Sequence, residues 1–378
     1  MPYPKVLNDP ADYERIGVTP GIVEPWEDGR RSDPGKPIQE NWYFDATMDD
    51  GTKLVVSFRP NAPGGSDLGV GEAGDGLDRP NINIHVTTAD GHTTTDMIFS
   101  DPADSWTKVG QCDLKYGPHY LRGDLVDYDI HVEPAGGVGA DLHFHSLVKP
   151  FRPGTGYIAF EPGESLDRTW TWTTIPRGQV TGTVTANGKT WPVSGLGYHD
   201  HGWNSMNPMA AWHHWLWARQ SSGDLTVAMS DLVAAQRYGF TWVPIIGVLD
   251  ASGEVIFSNI DSENATIDIE ERYVEPETGK EYPKKITYTF ANDGTLVTYR
   301  IEWTEQIEVR AAGNILIKAN PELKAKFDAL GVNPSYLRYA GKGDITLTDL
   351  ATGTEQRSVG DMIYEYASFG NPDPRARV

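Results

Sequence analysis

Residues 195–204 have the sequence Gly-Leu-Gly-Tyr-His-Asp-His-Gly-Trp-Asn, and residues 212–217 read Trp-His-His-Trp-Leu-Trp. Four of the ten histidines and four of the twelve tryptophans lie between positions 199 and 217, and no histidine follows His214. Imidazole titrates near neutral pH, and the face of an indole ring stabilises positive charge. This concentration of both groups predicts a site for a hydrophobic, unsaturated small molecule.

The sequence on both sides of this stretch is made of short β segments. Segments 53–58, 81–87, 128–132, 142–148, 180–185, 225–230, 286–290 and 295–303 are rich in Val, Ile, Thr and aromatic residues and partly alternate in polarity. Asp-Gly and Asn-Gly dipeptides at 50–51, 187–188 and 293–294 mark tight turns. This pattern predicts an all-β chain of antiparallel barrels or sandwiches. One short helix is expected at residues 321–330, with Asn320 as its N-cap and Gly331 after its end.

A weak internal repeat supports two domains of similar structure. Residues 40–44, a turn and segment 54–56 resemble residues 213–217, a turn and segment 225–227, although two unrelated hairpins would share this form. A chain of 378 residues also exceeds the size at which one core usually stops growing. We therefore expect an N-terminal extension at 1–38 and domains at 39–208 and 209–378. The histidine-rich stretch then lies at their junction, where ligand sites often form.

Composition limits the classes of partner. The 53 acidic and 32 basic residues give a formal charge of −21, which disfavours nucleic acid and anionic membrane surfaces. Cys112 is the single cysteine, so an internal disulfide and a cysteine-based zinc site are excluded. No apolar run has the length of a signal peptide core or of a membrane span. We expect a soluble, cytoplasmic protein, and the sequence leaves open whether it is a monomer or a homodimer.

The segment from 59 to 80 is dominated by Gly, Pro, Asp and Asn. Residues 69–74 formally match the dinucleotide fingerprint G-x-G-x-x-G, but residues 75–80 cannot continue the helix that the fingerprint requires. We therefore expect no nicotinamide cofactor. The segment is interpreted either as a flexible loop over a cavity mouth or as a disordered surface loop.

Two histidine pairs, His143 with His145 and His199 with His201, are each separated by one residue. On a strand, both members of a pair project from the same face. The two pairs together could hold zinc or another metal that favours imidazole. The alternative is that they are polar residues satisfied by hydrogen bonds inside a barrel. We expect no bound metal.

An acid or base role for His199 and His201 is the third interpretation. On an extended segment Asp200 points away from both rings, so another carboxylate, such as Asp231 or Glu40, has to set the tautomer. Trp203 shares the parity of His201 and is expected in the same cavity.

Residues 195–203, together with Glu40-Asn41-Trp42-Tyr43, resemble the two-domain lipocalin-like family of carotenoid 1,2-hydratases (hydroxyneurosporene synthases), kievitone hydratase and fungal Diels-Alderases. The resemblance extends from about residue 39 to about residue 366, with these two motifs as its specific part. It implies two lipocalin-like antiparallel β-barrels packed together, a ligand cavity at or near their interface, and no cofactor.

The family motif transfers to individual positions of this chain. Its H-x-W element falls on His201 and Trp203, its upstream aspartate on Asp200, and the acidic residue of the hydratases best matches Asp231. The chain departs from the family at Asn204, where glycine is usual, and at Gly202, where a polar residue is usual.

The resulting prediction is a cofactor-independent hydratase or lyase that acts on a double bond of a terpenoid, a prenylated aromatic compound or a carotenoid. Asp231, protonated by burial, or the His201 imidazolium donates the proton, Trp203 stabilises the carbocation, and His199 or His201 positions water. The expected substrate-binding residues are Tyr198, Asp200, Asn204, Trp215, Trp217, Glu40, Trp42, His143 and His145.

Two other functions remain open. An isomerase or cyclase would fold a polyene or an enone in the same cavity, with proximity and a hydrogen bond to a carbonyl providing the acceleration. A lipocalin-like carrier would only bind an apolar ligand. The crowding of histidines argues against a carrier, because an apolar carrier needs no titratable groups.

Overall fold

Strands form most of the chain that the computed structural model describes, which comprises residues 3–32, 39–60, 80–134, 136–206, 208–221, 223–310, 327, 332–370 and 373–377. In chain order the strands are β1 (Lys5–Val6), β2 (Gln39–Met48), β3 (Lys53–Arg59), β4 (Asn81–Thr87), β5 (Thr93–Phe99), β6 (Ser105–Thr107), β7 (Cys112–Tyr116), β8 (His119–Gly123), β9 (Asp127–Val132), β10 (Gly139–Ser146), β11 (Tyr157–Ala159), β12 (Thr169–Thr171), β13 (Thr173–Ala186), β14 (Lys189–Asn204), β15 (Trp212–Gln220), β16 (Thr226–Ala234), β17 (Trp242–Leu249), β18 (Val255–Asn259), β19 (Ala265–Val274), β20 (Glu281–Asn292), β21 (Thr295–Arg310), β22 (Ser335–Asp349) and β23 (Glu355–Ser368).

Short helices connect some of the strands. They are the α-helices α1 (Pro10–Ile16) and α2 (Pro208–Ala211) and the 3₁₀ helices Pro25–Asp28, Pro102–Asp104, Gln236–Tyr238 and Pro374–Arg377. None of the helices in the described part of the chain is long and apolar enough to span a bilayer.

The chain divides into two units, and the long strands of each unit form one sheet. The N-terminal unit comprises residues 7–157 and 166–206, and the C-terminal unit comprises residues 1–6, 158–165 and 207–378. Residues 7–32, predicted as part of an extension, therefore belong to the N-terminal unit. The domain boundaries predicted from the sequence, after residues 38 and 208, stay predictions.

In the N-terminal unit the antiparallel strands follow the order β5-β4-β3-β2-β14-β13-β10-β9-β8-β7-β6. Alternate side chains of a strand face a hydrophobic core, as strand geometry requires. Strand β3 contributes Leu54, Val56 and Phe58 to this core, and β10 contributes Leu142 and Phe144. The sheet thus has a defined inner face, and the direction of each side chain follows from its parity.

In the C-terminal unit the order is β18-β17-β16-β15-β23-β22-β21-β20-β19. Aliphatic residues of β15 to β17, such as Leu216, Met229 and Ile246, form one part of its core. Tyrosines of β20 to β23 form much of the rest, and they are Tyr282, Tyr288, Tyr299, Tyr339, Tyr364 and Tyr366.

The two sheets share one connectivity. In each, the first long strand pairs both with the strand that follows it and with the last long strand, which gives β3-β2-β14 and β16-β15-β23. The two segments of the internal repeat fall on the corresponding pairs β2–β3 and β15–β16. The shared order supports a duplication, and the predicted all-β, lipocalin-like architecture of antiparallel sheets is confirmed.

Each predicted segment overlaps a strand, with longer bounds in several cases, such as Thr173–Ala186 for the predicted 180–185. Segment 142–148 extends two residues past Gly139–Ser146, and segment 225–230 begins one residue before Thr226–Ala234. The predicted helix at 321–330 lies outside the described residues except for Phe327, which is helical and buried. Residues 61–79, which contain the formal dinucleotide match, also lie outside them.

Candidate functional site

Strand β14 carries the histidine motif along the middle of the N-terminal sheet, between β2 and β13. His199 and His201 face inward and are buried, whereas Trp203, of the same parity, is partly exposed. The register with β2 places His201 opposite Trp42 and Trp203 opposite Glu40. The Trp42 and His201 rings stack with centroids 4.4 Å apart, and the His201 and Trp203 centroids are 5.1 Å apart. The alternation of side chains along a strand therefore correctly predicted that His201 and Trp203 are neighbours.

Glu40 is the carboxylate that contacts His201 from the neighbouring strand. Its Oε1 lies 3.0 Å from His201 Nε2, and it also accepts the Arg31 N–H at 2.6 Å. The Ser32 N–H and hydroxyl donate to its Oε2 at 3.1 and 2.5 Å. Glu40 thus joins the motif to the segment that precedes β2.

Asp28 is a second carboxylate, which the sequence reasoning missed. The 3₁₀ helix Pro25–Asp28 places it in the core, where its oxygens lie 3.3 Å from His199 Nε2 and 3.3 Å from His201 Nδ1. The Tyr128 hydroxyl donates to Asp28 Oδ2 at 2.5 Å, and the Trp42 indole N–H donates to the Asp28 carbonyl at 2.9 Å. No local sequence signal distinguishes Asp28 from the other acidic residues of this chain.

Burial and charge act in opposite directions in this cluster of Asp28, Glu40, His199 and His201. Burial alone would raise the pKa of Asp28, but the charges and hydrogen bonds of His199 and His201 hold it well below its ordinary value. The pKa of Glu40 is lowered in the same way, chiefly by His201 and Ser32. Burial would lower the pKa of His201, but Asp28 and Glu40 raise it to about 9. At neutral pH His201 is an imidazolium between two carboxylates.

Beside the buried cluster lies a partly exposed group formed by Trp26, Arg31 and Trp203, which we call the aromatic-arginine surface. The Arg31 guanidinium carbon is 4.6 Å from the Trp26 ring centroid and 5.2 Å from that of Trp203. Trp26 and Arg31 were not predicted. The signal that could have found them is the doublet Arg30-Arg31, which is unusual in so acidic a chain.

Tyr198, Asp200 and Asn204 have the opposite parity and do not share the face of His201. The Tyr198 hydroxyl donates to Asp200 Oδ2 at 2.8 Å and accepts the Trp172 indole N–H at 3.1 Å. Asn204 ends β14 and pairs with Gln39. Asp200 thus points away from the histidines, as the parity predicted.

His143 and His145 lie on the exposed side of β10 and contact the exposed carboxylates of β9. His143 Nδ1 is 3.0 Å from Asp129, and His145 Nδ1 is 2.7 Å from Asp127. They are therefore on the face opposite to His199 and His201, and the interpretation that joined both pairs in one metal site is wrong. Within the described ranges, no three His, Cys, Asp or Glu side chains are grouped as metal ligands.

Asp231 belongs to the C-terminal unit, whereas His201 belongs to the N-terminal unit. Its carboxylate accepts the Trp242 indole N–H at 2.6 Å, the Tyr288 hydroxyl at 2.7 Å and the Arg375 guanidinium at 2.6 Å. All three partners donate, and one is a cation. The carboxylate accepts in all three contacts, whereas the hydratase prediction gave it the role of a proton donor.

Trp215 and Trp217 of β15 flank the inward-facing Leu216, which pairs with Asp231. They therefore project from the opposite face to Asp231. The Trp215 indole N–H donates to Glu365 at 3.1 Å. Strand β15 also carries His214, whose Nε2 lies 3.3 Å from Asp373.

This chain is similar in sequence to one curated protein and in structure to two solved proteins. A curated relative, the ceramide-binding protein svf1 of Emericella nidulans, is 24% identical over 310 residues, which cover 76% of each chain. A crystal structure of a putative AttH from Nitrosomonas europaea matches with a TM-score of 0.62 and 15% identity, over 93% of this chain and 99% of that one. Kievitone hydratase from Nectria haematococca matches with a TM-score of 0.55 and 11% identity, over 98% of both chains.

The structural matches confirm the resemblance to the lipocalin-like fold of kievitone hydratase. At these identities they show the fold alone. The sequence profile of the Svf1 family matches residues 97–338, which is more than half of the sequence. The chain therefore belongs to the Svf1 family.

Proposed function

We propose that this protein binds a lipid-like small molecule of the ceramide class without transforming it. The relative from Emericella nidulans is a ceramide-binding protein, and membership of the same family supports a similar ligand here. Of the functions predicted from the sequence, the carrier is the one that this family relationship favours.

The observation that carries the proposal is the position of Glu40 and Asp28 on the two ring nitrogens of His201, at 3.0 and 3.3 Å. An imidazolium that donates to a substrate needs one N–H directed at that substrate. Here Nε2 contacts Glu40, and Nδ1 is buried 3.3 Å from an oxygen of Asp28 without a hydrogen bond to it. We therefore assign the cluster of Asp28, Glu40, His199 and His201 a structural role in the N-terminal unit. With that role, the crowding of histidines no longer argues against a carrier.

The aromatic-arginine surface is our candidate for the ligand contact. Its indoles are partly exposed, and rigid aromatic rings provide contact area for an apolar chain at low entropic cost. The Arg31 guanidinium adds hydrogen-bond donors for a polar headgroup.

The test is a titration with a fluorescent ceramide analogue, followed by anisotropy. We expect saturable binding with a Kd of about 10 μM or tighter. Trp203→Ala should weaken binding by about tenfold, because it removes one aromatic wall. Trp106, which is 41% exposed on β6 of the same unit, provides the matched control, and Trp106→Ala should leave the Kd unchanged. Absence of saturable binding, or equal Kd values for the two variants, contradicts the proposal.

A hydratase is the second candidate, with an isomerase or cyclase as its variant. The observation that favours it is the 5.1 Å separation of the His201 and Trp203 ring centroids, which places a protonated imidazole beside an indole ring. A hydratase must incorporate solvent, so its product formed in oxygen-18 water gains the label. Candidate terpenoids, prenylated aromatics and carotenoids recovered unchanged in mass would argue against it, and a label-free product of equal mass would indicate an isomerase or cyclase.

A further inference from the structure

The guanidinium of Arg31 lies beside the rings of Trp26 and Trp203. In the part of the chain that the structure describes, no carboxylate forms an ion pair with it, and its contacts are the Trp26 and Trp203 rings. Arg152 and Arg357, by contrast, each contact a carboxylate.

The backbone and the rings fix the position of this side chain. The Arg31 N–H donates to Glu40 at 2.6 Å, and the next residue, Ser32, donates to the same carboxylate. The Trp26 indole N–H donates to Glu24 at 2.6 Å, which orients that ring. Both indole rings lie within 5.2 Å of the guanidinium carbon, and the guanidinium carries N–H donors that can bind a ligand beside these rings.

We propose that Arg31 binds the anionic headgroup of an amphiphilic ligand, a carboxylate or a phosphate, while Trp26 and Trp203 contact the adjoining apolar chain. This inference rests on the proposed function and narrows the ligand at the same surface to lipids that carry an anionic headgroup, which ceramide itself lacks. A planar guanidinium recognises both headgroups through paired N–H donors. The charge of −21 selects against polyanions, whereas one headgroup requires only one positive partner.

The experiment compares charged and neutral ligands of equal chain length. Binding of oleate is measured against methyl oleate, and binding of ceramide 1-phosphate against ceramide, by isothermal titration with wild type, Arg31→Gln and Arg31→Lys. Arg237→Gln is the matched control, because the Arg237 guanidinium likewise lies over an aromatic ring, that of Tyr238, but in the C-terminal unit. It removes the same charge at a different place.

We expect wild type to bind at least one of the anionic ligands about tenfold more tightly than its neutral counterpart. Arg31→Gln should abolish this preference, Arg31→Lys should keep part of it, and Arg237→Gln should leave it intact. The pair that shows the preference identifies carboxylate or phosphate as the headgroup.

Three outcomes separate this inference from the proposed function. Equal binding of charged and neutral ligands by wild type overturns the inference alone, as does a preference that survives in Arg31→Gln. If wild type binds none of the four ligands, both the inference and the proposed function fail. Thermal unfolding of Arg31→Gln beside wild type shows whether any loss of binding in this variant reflects misfolding.

Discussion

His201 and Glu40 are separated by 161 positions in the chain, yet His201 Nε2 lies 3.0 Å from Glu40 Oε1. The contact joins the last long strand of the N-terminal sheet to its first, next to the segment that carries Arg31. Because both partners are nearly inaccessible to solvent, removal of one leaves an uncompensated charge in the core. The network therefore couples the shape of the aromatic-arginine surface to the stability of the unit.

Asp28→Asn should destabilise the N-terminal unit strongly. The change removes the negative charge that faces His199 and His201, and loss of one partner of a buried ion pair typically costs about 3–5 kcal/mol. Asp129→Asn is the control, since Asp129 contacts His143 on the exposed face and should change stability by only about 0.5 kcal/mol. Urea unfolding of the two variants measures both effects. Equal effects would show that the buried cluster is not a major source of stability.

The contribution of His201 to stability should depend on pH. Its pKa is about 9 in the folded state against an ordinary value of 6.5, so below pH 6.5 the contribution is complete. Between pH 6.5 and 9 the unfolded chain releases its proton first, and the contribution, up to about 3 kcal/mol, is lost as pH rises. The difference in the free energy of unfolding between wild type and His201→Gln should therefore shrink from pH 6 to pH 9. A constant difference would contradict the imidazolium assignment.

Lys280 should change the free energy of unfolding with pH in the direction opposite to that of His201. Burial lowers its pKa from 10.5 to about 7, and its ammonium donates to Ser335 Oγ and to the Ser368 carbonyl, both at 3.0 Å. Between pH 7 and 10.5 the unfolded chain binds more protons, so this lysine makes the free energy of unfolding rise with pH. Lys280→Met should remove that rise, whereas Lys284→Met, at a partly exposed surface pair with Glu271, should retain it. Parallel pH profiles for wild type and Lys280→Met would show that Lys280 keeps an ordinary pKa.

Asp231→Asn distinguishes a paired carboxylate from a protonated acid. If Asp231 is ionised against Arg375, the amide leaves a buried guanidinium with a weaker partner, and we expect a loss of about 3 kcal/mol. If the acid is protonated, as a hydratase requires, the nearly isosteric amide should cost less than about 1 kcal/mol. Asp344→Asn, which breaks a surface pair with Arg357, is the matched control in chemical denaturation.

The part of the site that could be predicted from the sequence follows from the alternation of side chains between the two faces of a strand. His199, His201 and Trp203 recur every second residue on a strand, so their common face and the opposite direction of Asp200 follow from the sequence. The partnership with Glu40 was one of two alternatives, and the register of β14 with β2 decided it.

The remaining contacts depend on tertiary structure. Asp28 reaches His199 across 171 positions, and Arg375 reaches Asp231 across 144, both from short 3₁₀ helices near the chain ends. No periodic pattern encodes such insertions, because the positions of these segments depend on the completed sheet. Arg31 was not predicted for the same reason, because Trp26 and Trp203 come together around it only in the folded chain.

Photo-crosslinking with a photoactivatable ceramide tests the central claim most directly, because it reports both binding and its place. The account predicts labelling that excess unlabelled ceramide suppresses, with the label on peptides that contain Trp26, Arg31 or Trp203. Labelling that excess ceramide does not suppress, or suppressible labelling confined to other peptides, would contradict it.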